Sequence, residues 1–291
     1  MLQFDGQVAI VTGAGGGLGR AHALLLASRG AKVIVNDMGD GALSVAEEIK
    51  ASGGEAVAAS GSVTDQEFVE AMVAGASDRW GRVDILVNNA GILRDKSFAK
   101  MEIKDFCAVV DVHLMGAAIC TKAVWEMMRQ QSYGRIVMTT SSSGLFGNFG
   151  QSNYGAAKMA LVGFMQTLGL EGEKYNIRVN CLAPTAATSM MEGILPEREL
   201  QLLKPEFVSP GMLVLVAKDA PNRAILCAGA GGYEAAKIEM TRGIFLDERT
   251  NSPEALVAAW AELVEDAGAF TPENALQQSE LELGKAGYRR P

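Results

Sequence analysis

A short apolar segment, Val8–Val11, runs straight into Thr12-Gly13-Ala14-Gly15-Gly16-Gly17-Leu18-Gly19 and then into an apolar stretch from Ala21 to Ala27. The first segment reads as a buried strand and the last as a helix. Glycine holds five of the eight positions between them, so the backbone can turn sharply and approach a ligand closely. Such a turn aims backbone N–H groups and a helix N-terminus at one point, where a pyrophosphate fits. A tight connection with no ligand is the plainer alternative. The strand and helix on either side favour binding, with Gly13, Gly16, Gly17, Leu18 and Gly19 as the phosphate-facing residues.

The next apolar run, Ala31–Asn36, ends at Asp37. An acid about 20 residues beyond such glycines accepts hydrogen bonds from an adenosine ribose and repels a 2′-phosphate. No Arg or Lys stands inside the turn or directly after Asp37. Both features predict NAD over NADP.

Strand-like runs near 7–12, 31–36, 55–59, 83–87, 134–140, 177–182 and 223–228 alternate with helix-like runs at 17–29, 41–52, 64–79, 102–131, 152–174 and 207–217. Seven apolar strands separated by helices predict an α/β fold, a Rossmann-type doubly wound parallel sheet covered on both faces. The expected organisation is one domain over 1–248, with a substrate lid near 186–212, and a C-terminal extension over 249–291. Tyr233–Asn251 reads as irregular, Pro253–Asp266 as one amphipathic helix, and residues 267–291 as polar and loose. That extension could fold over the site or form an interface.

The composition is globular, 48% hydrophobic and 21% charged, and the net charge of −8 argues against a nucleic-acid surface. Cys107, Cys120, Cys181 and Cys227 lack paired spacing and sit in apolar patterns, so buried free thiols are expected. The two histidines form no metal-ligand cluster. No apolar run looks long enough for a membrane span, and the first strand starts too early to leave room for a signal peptide. A cytoplasmic enzyme is expected.

Tyr154-Gly155-Ala156-Ala157-Lys158 carries the chemistry, with Ser141 upstream. On a helix, Tyr154 and Lys158 lie on one face. A neighbouring ammonium favours the phenolate and would lower the tyrosine pKa, which makes Tyr154 a general acid/base. Ser141 would hold a substrate oxygen. Alone, the pair could be an ordinary helical one, since this spacing is common.

These residues, with Asn88-Asn89-Ala90-Gly91, fall in the order and spacing of the short-chain dehydrogenase/reductase family, which the chain resembles from residue 5 to about 232. Within it, Val35-Asn36-Asp37, Ile92–Phe98, Val112-His113-Leu114, Gly147–Gln151 and Leu203–Val208 resemble the (3R)-hydroxyacyl-CoA dehydrogenase units of peroxisomal multifunctional enzymes. Their bacterial single-domain relatives, some active on 17β-hydroxysteroids, share the likeness.

The resemblance implies roles. Tyr154 is the acid/base, Lys158 lowers its pKa and binds the nicotinamide ribose, and Ser141 binds the reacting oxygen. Asp37 takes the adenosine ribose, Ser62 and Val63 flank the adenine, and Asn89 and Gly91 lie along the cofactor. Ala187 and Thr188 approach the nicotinamide amide. Two departures stand out. His113 occupies the place of an Asn that helps a water relay from the lysine, and it is either a part of that site or a hydrogen-bonded core histidine. Pro184-Thr185 replaces the usual Pro-Gly.

Met190, Met191, Ile194, Leu195 and Met212 could line a lid over a bulky lipid-like substrate, or pack a core. Arg94, Lys96, Lys100 and Lys104 are rim candidates for a CoA phosphate, or a solvated basic face. The expected activity is NAD-dependent interconversion of a secondary alcohol and a ketone on a (3R)-3-hydroxyacyl-CoA or a steroid. Reduction of acyl-carrier-protein thioesters, and an NAD-binding scaffold without turnover, are the alternatives. Helices 102–131 and 152–174 are apolar around most of their circumference, which in this family implies a homodimer or homotetramer.

Overall fold

The computed structural model describes residues 1–187 and 196–288. Two units are distinguished, Met1–Ala236 and Lys237–Pro291. The first unit is built on eight strands: β1 (Val8–Val11), β2 (Lys32–Asp37), β3 (Glu55–Ser60), β4 (Ile85–Asn88), β5 (Gly134–Thr139), β6 (Ile177–Thr185), β7 (Ile225–Gly229) and β8 (Gly232–Ala236). Their spatial order is β3-β2-β1-β4-β5-β6-β7-β8, parallel except for β8. Chain order reverses between β1 and β4, where Ala9 pairs with both Val33 and Ile85. Open sheets of this kind bind ligands beyond the strand C-termini at such a switch point.

The helices are α1 (Gly17–Ser28), α2 (Gly41–Ala51), α3 (Gln66–Trp80), α4 (Ile103–Val110), α5 (Gly116–Gln131), α6 (Ser142–Phe146), α7 (Ser152–Gly172), α8 (Glu197–Leu202) and α9 (Ser209–Val216). Side chains alternate along each strand. Ala9 and Val11 therefore join one core, with Leu26, Ile49, Met212 and Val216 from α1, α2 and α9. Val8 and Ile10 join the other, with Val73, Val124, Leu161 and Met165 from α3, α5 and α7. Each large aliphatic side chain so buried stabilises the fold by about 1.5–3 kcal/mol. Local signals agree: the Asp65 carboxylate accepts from Phe68 N at 3.1 Å to cap α3, and Gly81, at φ 75°, ends it.

The fold differs from expectation in several places. The sheet has an eighth strand, antiparallel, joined to β7 by Ala230 (φ 49°) and Gly231 (φ 82°). Positive φ at both positions is the tight hairpin turn usually signalled by Asn-Gly. Ala-Gly carries a weaker signal, and most of β8 is exposed, so no apolar alternation marked it. The helix expected over 102–131 is interrupted by a π turn at Asp111–Met115, around His113. Gly116 follows because a Cβ there would come within 2.6 Å of Val63 Cγ2. The segment Ile103–Gln131 is long and apolar enough to cross a membrane by length and composition, contrary to the expected lack of such a run. Its inner face, with Val109, Val124 and Met128, packs in the core of the unit.

The second unit holds α10 (Pro253–Ala258), α11 (Trp260–Leu263) and α12 (Leu276–Lys285). The single helix expected over 253–266 is broken at Ala259, where ψ is 6°. Residues expected to be loose form α12 instead, whose Lys285 Nζ donates to the carbonyl of Ile244 at 3.2 Å.

Candidate active site

Ser141 follows β5 and caps α6, its hydroxyl accepting from Ser143 N at 3.1 Å. The adjacent Thr140 hydroxyl donates to the Lys158 carbonyl at 2.7 Å. Lys158 Nζ in turn donates to the Thr139 carbonyl at 2.5 Å. These bonds tie the first turns of α7 to the end of β5. Gly144 permits the approach, since a Cβ there would stand 2.8 Å from Lys158 Cβ. Tyr154 and Lys158 share a face as their spacing predicts, the ammonium nitrogen 5.4 Å from the phenol ring centroid.

Two further side chains hold Tyr154. His113 lies edge-on to its ring, centroids 5.2 Å apart and planes at 89°. Asn153, fully buried, accepts from Tyr154 N at 2.8 Å and donates to the Arg94 carbonyl at 3.1 Å. The His113 Nε2 lies 2.8 Å from the Ile92 carbonyl and 3.0 Å from Ile92 N, so one tautomer donates and the other accepts. His113 is thus both the hydrogen-bonded buried histidine and a wall of the site.

Burial sets the electrostatics. It raises the Tyr154 phenol above its ordinary pKa; Asp95 pushes in the same direction, and a hydrogen bond with Ser141 opposes both. Burial thus opposes the lowering of the Tyr154 pKa expected from Lys158. Lys158 is itself lowered to about 7 by complete burial, which weakens the cation that was to stabilise the phenolate. His113 is lowered to about 3, by burial first and by Lys158 second.

Thr12, at the start of the glycine turn, lines one small cavity with His113 and Lys158. Gly13 meets the Asn89–Ala90 segment, where a Cβ would approach Ala90 Cα to 2.7 Å. At Gly19 a Cβ would overlap the Gly13 carbonyl, and it would stand 2.6 Å from the Asn89 amide nitrogen. At Gly16 a Cβ would meet nothing within 4 Å. Gly17 and Leu18 open α1, which has no side-chain cap and no acid in its first turn, so its N–H groups are left for an anion. Asp37 accepts from Gly15 N at 2.9 Å and from Met38 N at 2.7 Å, which fixes its carboxylate at the rim of the turn.

Asn89, expected along the cofactor, braces the turn with its amide, donating to the carbonyls of Thr12 and Gly13 at 2.9 and 3.0 Å. Gly91 is required by His113, since a Cβ would come within 2.2 Å of the imidazole Cε1. Ser62 bonds Thr64 at 2.8 Å, and Val63 is buried against Gly116. Ala187 N donates to the Leu203 carbonyl at 2.6 Å. Thr188, Met190, Met191, Ile194 and Leu195 lie outside the described residues. Met212 belongs to the core. Of the basic rim candidates, Lys96 pairs with Asp105 and Lys104 with Glu102.

Sequence reasoning missed three supports. Thr12 accepts from Asn89 N and Ala90 N at 3.0 and 3.1 Å, linking the ends of β1 and β4. Asn153 orients the helix start, and its place directly before Tyr154 was the available signal. Asn88 lines, with Thr12, His113 and Lys158, a cavity of about 10 Å³.

Residues 7–199 match the short chain dehydrogenase family. Peroxisomal multifunctional enzyme type 2 of Mus musculus is 44% identical over 96% of this chain, which spans 39% of that protein's length. A short-chain type dehydrogenase/reductase of Mycobacterium tuberculosis is 46% identical over 90% of this chain and 96% of its own length. A solved 7α-hydroxysteroid dehydrogenase complexed with NADH and 7-oxo glycochenodeoxycholic acid matches 79% of this chain and 95% of its own, at 30% identity and a TM-score of 0.74. The chain belongs to the short-chain dehydrogenase family, and it is an enzyme of the oxidoreductase class.

Proposed function

We propose that this protein is an NAD-dependent dehydrogenase that interconverts a secondary alcohol and a ketone on a lipid-like substrate, a (3R)-3-hydroxyacyl-CoA before a 17β-hydroxysteroid. The observation that carries the reading is the grouping of Ser141, Tyr154 and Lys158, with Lys158 lining one cavity with Thr12 at the start of the glycine turn that Asp37 braces.

The residues present fit a dinucleotide. Side-chain space at Gly16 is open, the first turn of α1 is uncapped, and the Asp37 carboxylate stands at its edge. In this reading Gly13, Gly16, Gly17, Leu18 and Gly19 hold the pyrophosphate, and Asp37 holds the adenosine ribose. Ser62, Val63, Asn89, Gly91, Ala187 and Thr188 complete the contact, and Lys158 binds the second ribose. Like charge between Asp37 and a 2′-phosphate favours NAD. The NADH in the 7α-hydroxysteroid dehydrogenase neighbour supports that choice. Bound there, the coenzyme supplies a hydride acceptor.

The chain's own groups handle the proton. Ser141 donates to the substrate oxygen and fixes the carbinol. Tyr154 takes the hydroxyl proton as the C–H bond gives up its hydride, and returns it in the reverse direction. Lys158, when protonated, favours the phenolate. His113 keeps the ring oriented and excludes water from its inner side.

The lipid side rests on the 7-oxo bile acid in the solved neighbour and on the resemblance to hydroxyacyl-CoA dehydrogenase units. The proposed assembly is a homodimer or homotetramer through α4, α5 and α7. The four cysteines are free, but contrary to the expected burial Cys107 is exposed and Cys227 half-buried, which suits a reducing compartment such as the cytoplasm. NADH formation from NAD decides the reading, assayed with a 3-hydroxyacyl-CoA, a 17β-hydroxysteroid, a short linear alcohol and a sugar. Turnover of either lipid class, with little on the other two, supports it. Turnover of a sugar or short alcohol alone would overturn the substrate assignment.

A further inference from the structure

The segment Arg94-Asp95-Lys96 is laced to the loop that opens α7. Lys96 N donates to the Gly150 carbonyl at 2.9 Å, and Asn153 Nδ2 donates to the Arg94 carbonyl at 3.1 Å. Between these bonds, Gln151 Nε2 donates to Asp95 Oδ2 at 2.7 Å. The Gln151 amide oxygen is itself fixed, accepting from Asn148 Nδ2 at 3.0 Å. Asn153 also accepts from Tyr154 N, so the backbones of Arg94 and Tyr154 share one support. The basic neighbours are occupied elsewhere: Arg94 Nη1 donates to the Leu93 carbonyl at 2.8 Å, and Lys96 pairs with Asp105 at 3.5 Å. Among the described residues no ion pair neutralises Asp95.

We propose that Asp95 is a specificity-determining residue: its uncompensated carboxylate, held by Gln151 near Tyr154, disfavours substrates with a carboxylate beside the carbinol and admits a 3-hydroxy acid chiefly when that acid is masked as a neutral thioester. This rests on the dehydrogenase reading above and deepens its substrate side. Asp95 is exposed, so the physical cause is a solvent-screened like-charge repulsion at the rim of the site. A bile acid is unaffected, because its carboxylate is remote from the ring oxygens. The groups against Tyr154 are Lys158 on α7, His113 from the π turn and Ser141 before α6; Asp95, bonded to Gln151 at the start of α7, acts on it through its charge. Of these, Asp95 and burial push the phenol upward.

The test compares 3-hydroxybutanoate with its N-acetylcysteamine thioester, using NAD, in the wild type and in Asp95→Asn. Asparagine keeps an oxygen for Gln151 and removes the charge. The wild type is expected to favour the thioester in kcat/KM. Asp95→Asn should narrow that preference by about fivefold, the modest factor a solvent-screened unit charge supplies. Tyr154 should also ionise at lower pH in the variant, read from tyrosinate absorbance with Tyr154→Phe as the blank. An unchanged substrate ratio overturns the proposal. A wild-type protein that oxidises no secondary alcohol overturns the dehydrogenase reading instead, and the specificity role falls with it. The absorbance titration still reports whether Asp95 acts on the phenol, and an unshifted titration excludes that action.

Discussion

The imidazole of His113 stands edge-on to the phenol ring of Tyr154, 5.2 Å between centroids, and this contact orders the inner wall of the site. The π turn presents His113 there, and the Ile92 backbone holds its Nε2. Lys158 reaches past the ring to the Thr139 carbonyl. The phenol is thus positioned by packing on one side and by Asn153 at its backbone.

Tyr154→Phe keeps the ring in this contact and removes the proton carrier. Turnover should fall by about 10²–10⁴, with folding intact by circular dichroism. In the wild type, kcat/KM for alcohol oxidation should rise toward alkaline pH, because the base form accumulates with pH and burial raises the phenol. His113, lowered to about 3, stays neutral across the assay range and cannot supply that limb. A limb centred at about 6.5, the ordinary histidine range, would assign the proton to another group.

Asp37→Ala should narrow the preference for NAD over NADP by removing the charge that meets a 2′-phosphate. Gly16→Ala makes a useful contrast. A Cβ there meets nothing within 4 Å, so stability should hold. Affinity for NADH should weaken, since the methyl takes space left for the phosphates. Both effects are read by fluorescence titration of NADH. Unaltered affinity in Gly16→Ala would place the pyrophosphate elsewhere.

Acid sensitivity should come early. His22 and His113 are the only histidines in the chain, both are buried, and burial lowers each to about 3. Between pH 6.5 and about 3 the unfolded chain binds protons that the folded chain refuses. Falling pH therefore favours unfolding, and stability recovers as pH rises to the ordinary histidine value. Each histidine contributes up to about 1.4 kcal/mol per pH unit in that window. Urea denaturation at about pH 7 and about pH 5 should show the loss, reduced in His22→Gln. Equal midpoints at the two pH values would contradict the burial of two neutral imidazoles.

Assembly can be tested on the outer face of the helices. Ile103 is 70% exposed, and Met115, Met159 and Leu170 on α7 and the π turn are also open. Apolar side chains in that number on adjoining helices suit a partner copy. Light scattering at micromolar protein should give a dimer or tetramer, and Met115→Glu with Leu170→Lys should lower the mass. A stable wild-type monomer would refute the interface.

Local features were legible because their residues are consecutive. Strand β1, the glycine turn and α1 follow one another, and so do Tyr154 and Lys158 one helical turn apart. What escaped depends on distant partners or weak signals. The π turn carries helix-compatible residues throughout, so nothing in Asp111–Met115 marked the insertion around His113. Strand β8 is exposed and joined by Ala-Gly. The burial that raises the Tyr154 phenol and lowers Lys158 to about 7 escaped because spacing reveals the neighbouring lysine but not the packing around the pair. Asp95 and Gln151 are 56 residues apart, and only the packed loops bring them together.

Gly91→Ala tests the wall directly. The new Cβ would stand 2.2 Å from His113 Cε1 and 2.9 Å from Nδ1, inside contact distance of a buried ring. The imidazole cannot yield easily, because Nε2 is held at Ile92 and its ring lies against Tyr154. Overpacking of this kind costs about 1–3 kcal/mol, which should appear as a lower urea midpoint. Displacement of the imidazole should disturb Tyr154 as well, so kcat should fall more than the stability loss alone explains. His113→Ala opens the space, and the double variant should recover part of the stability, a coupling of about 0.5–3 kcal/mol. If Gly91→Ala matched the wild type in both stability and kcat, His113 would not form the wall behind Tyr154.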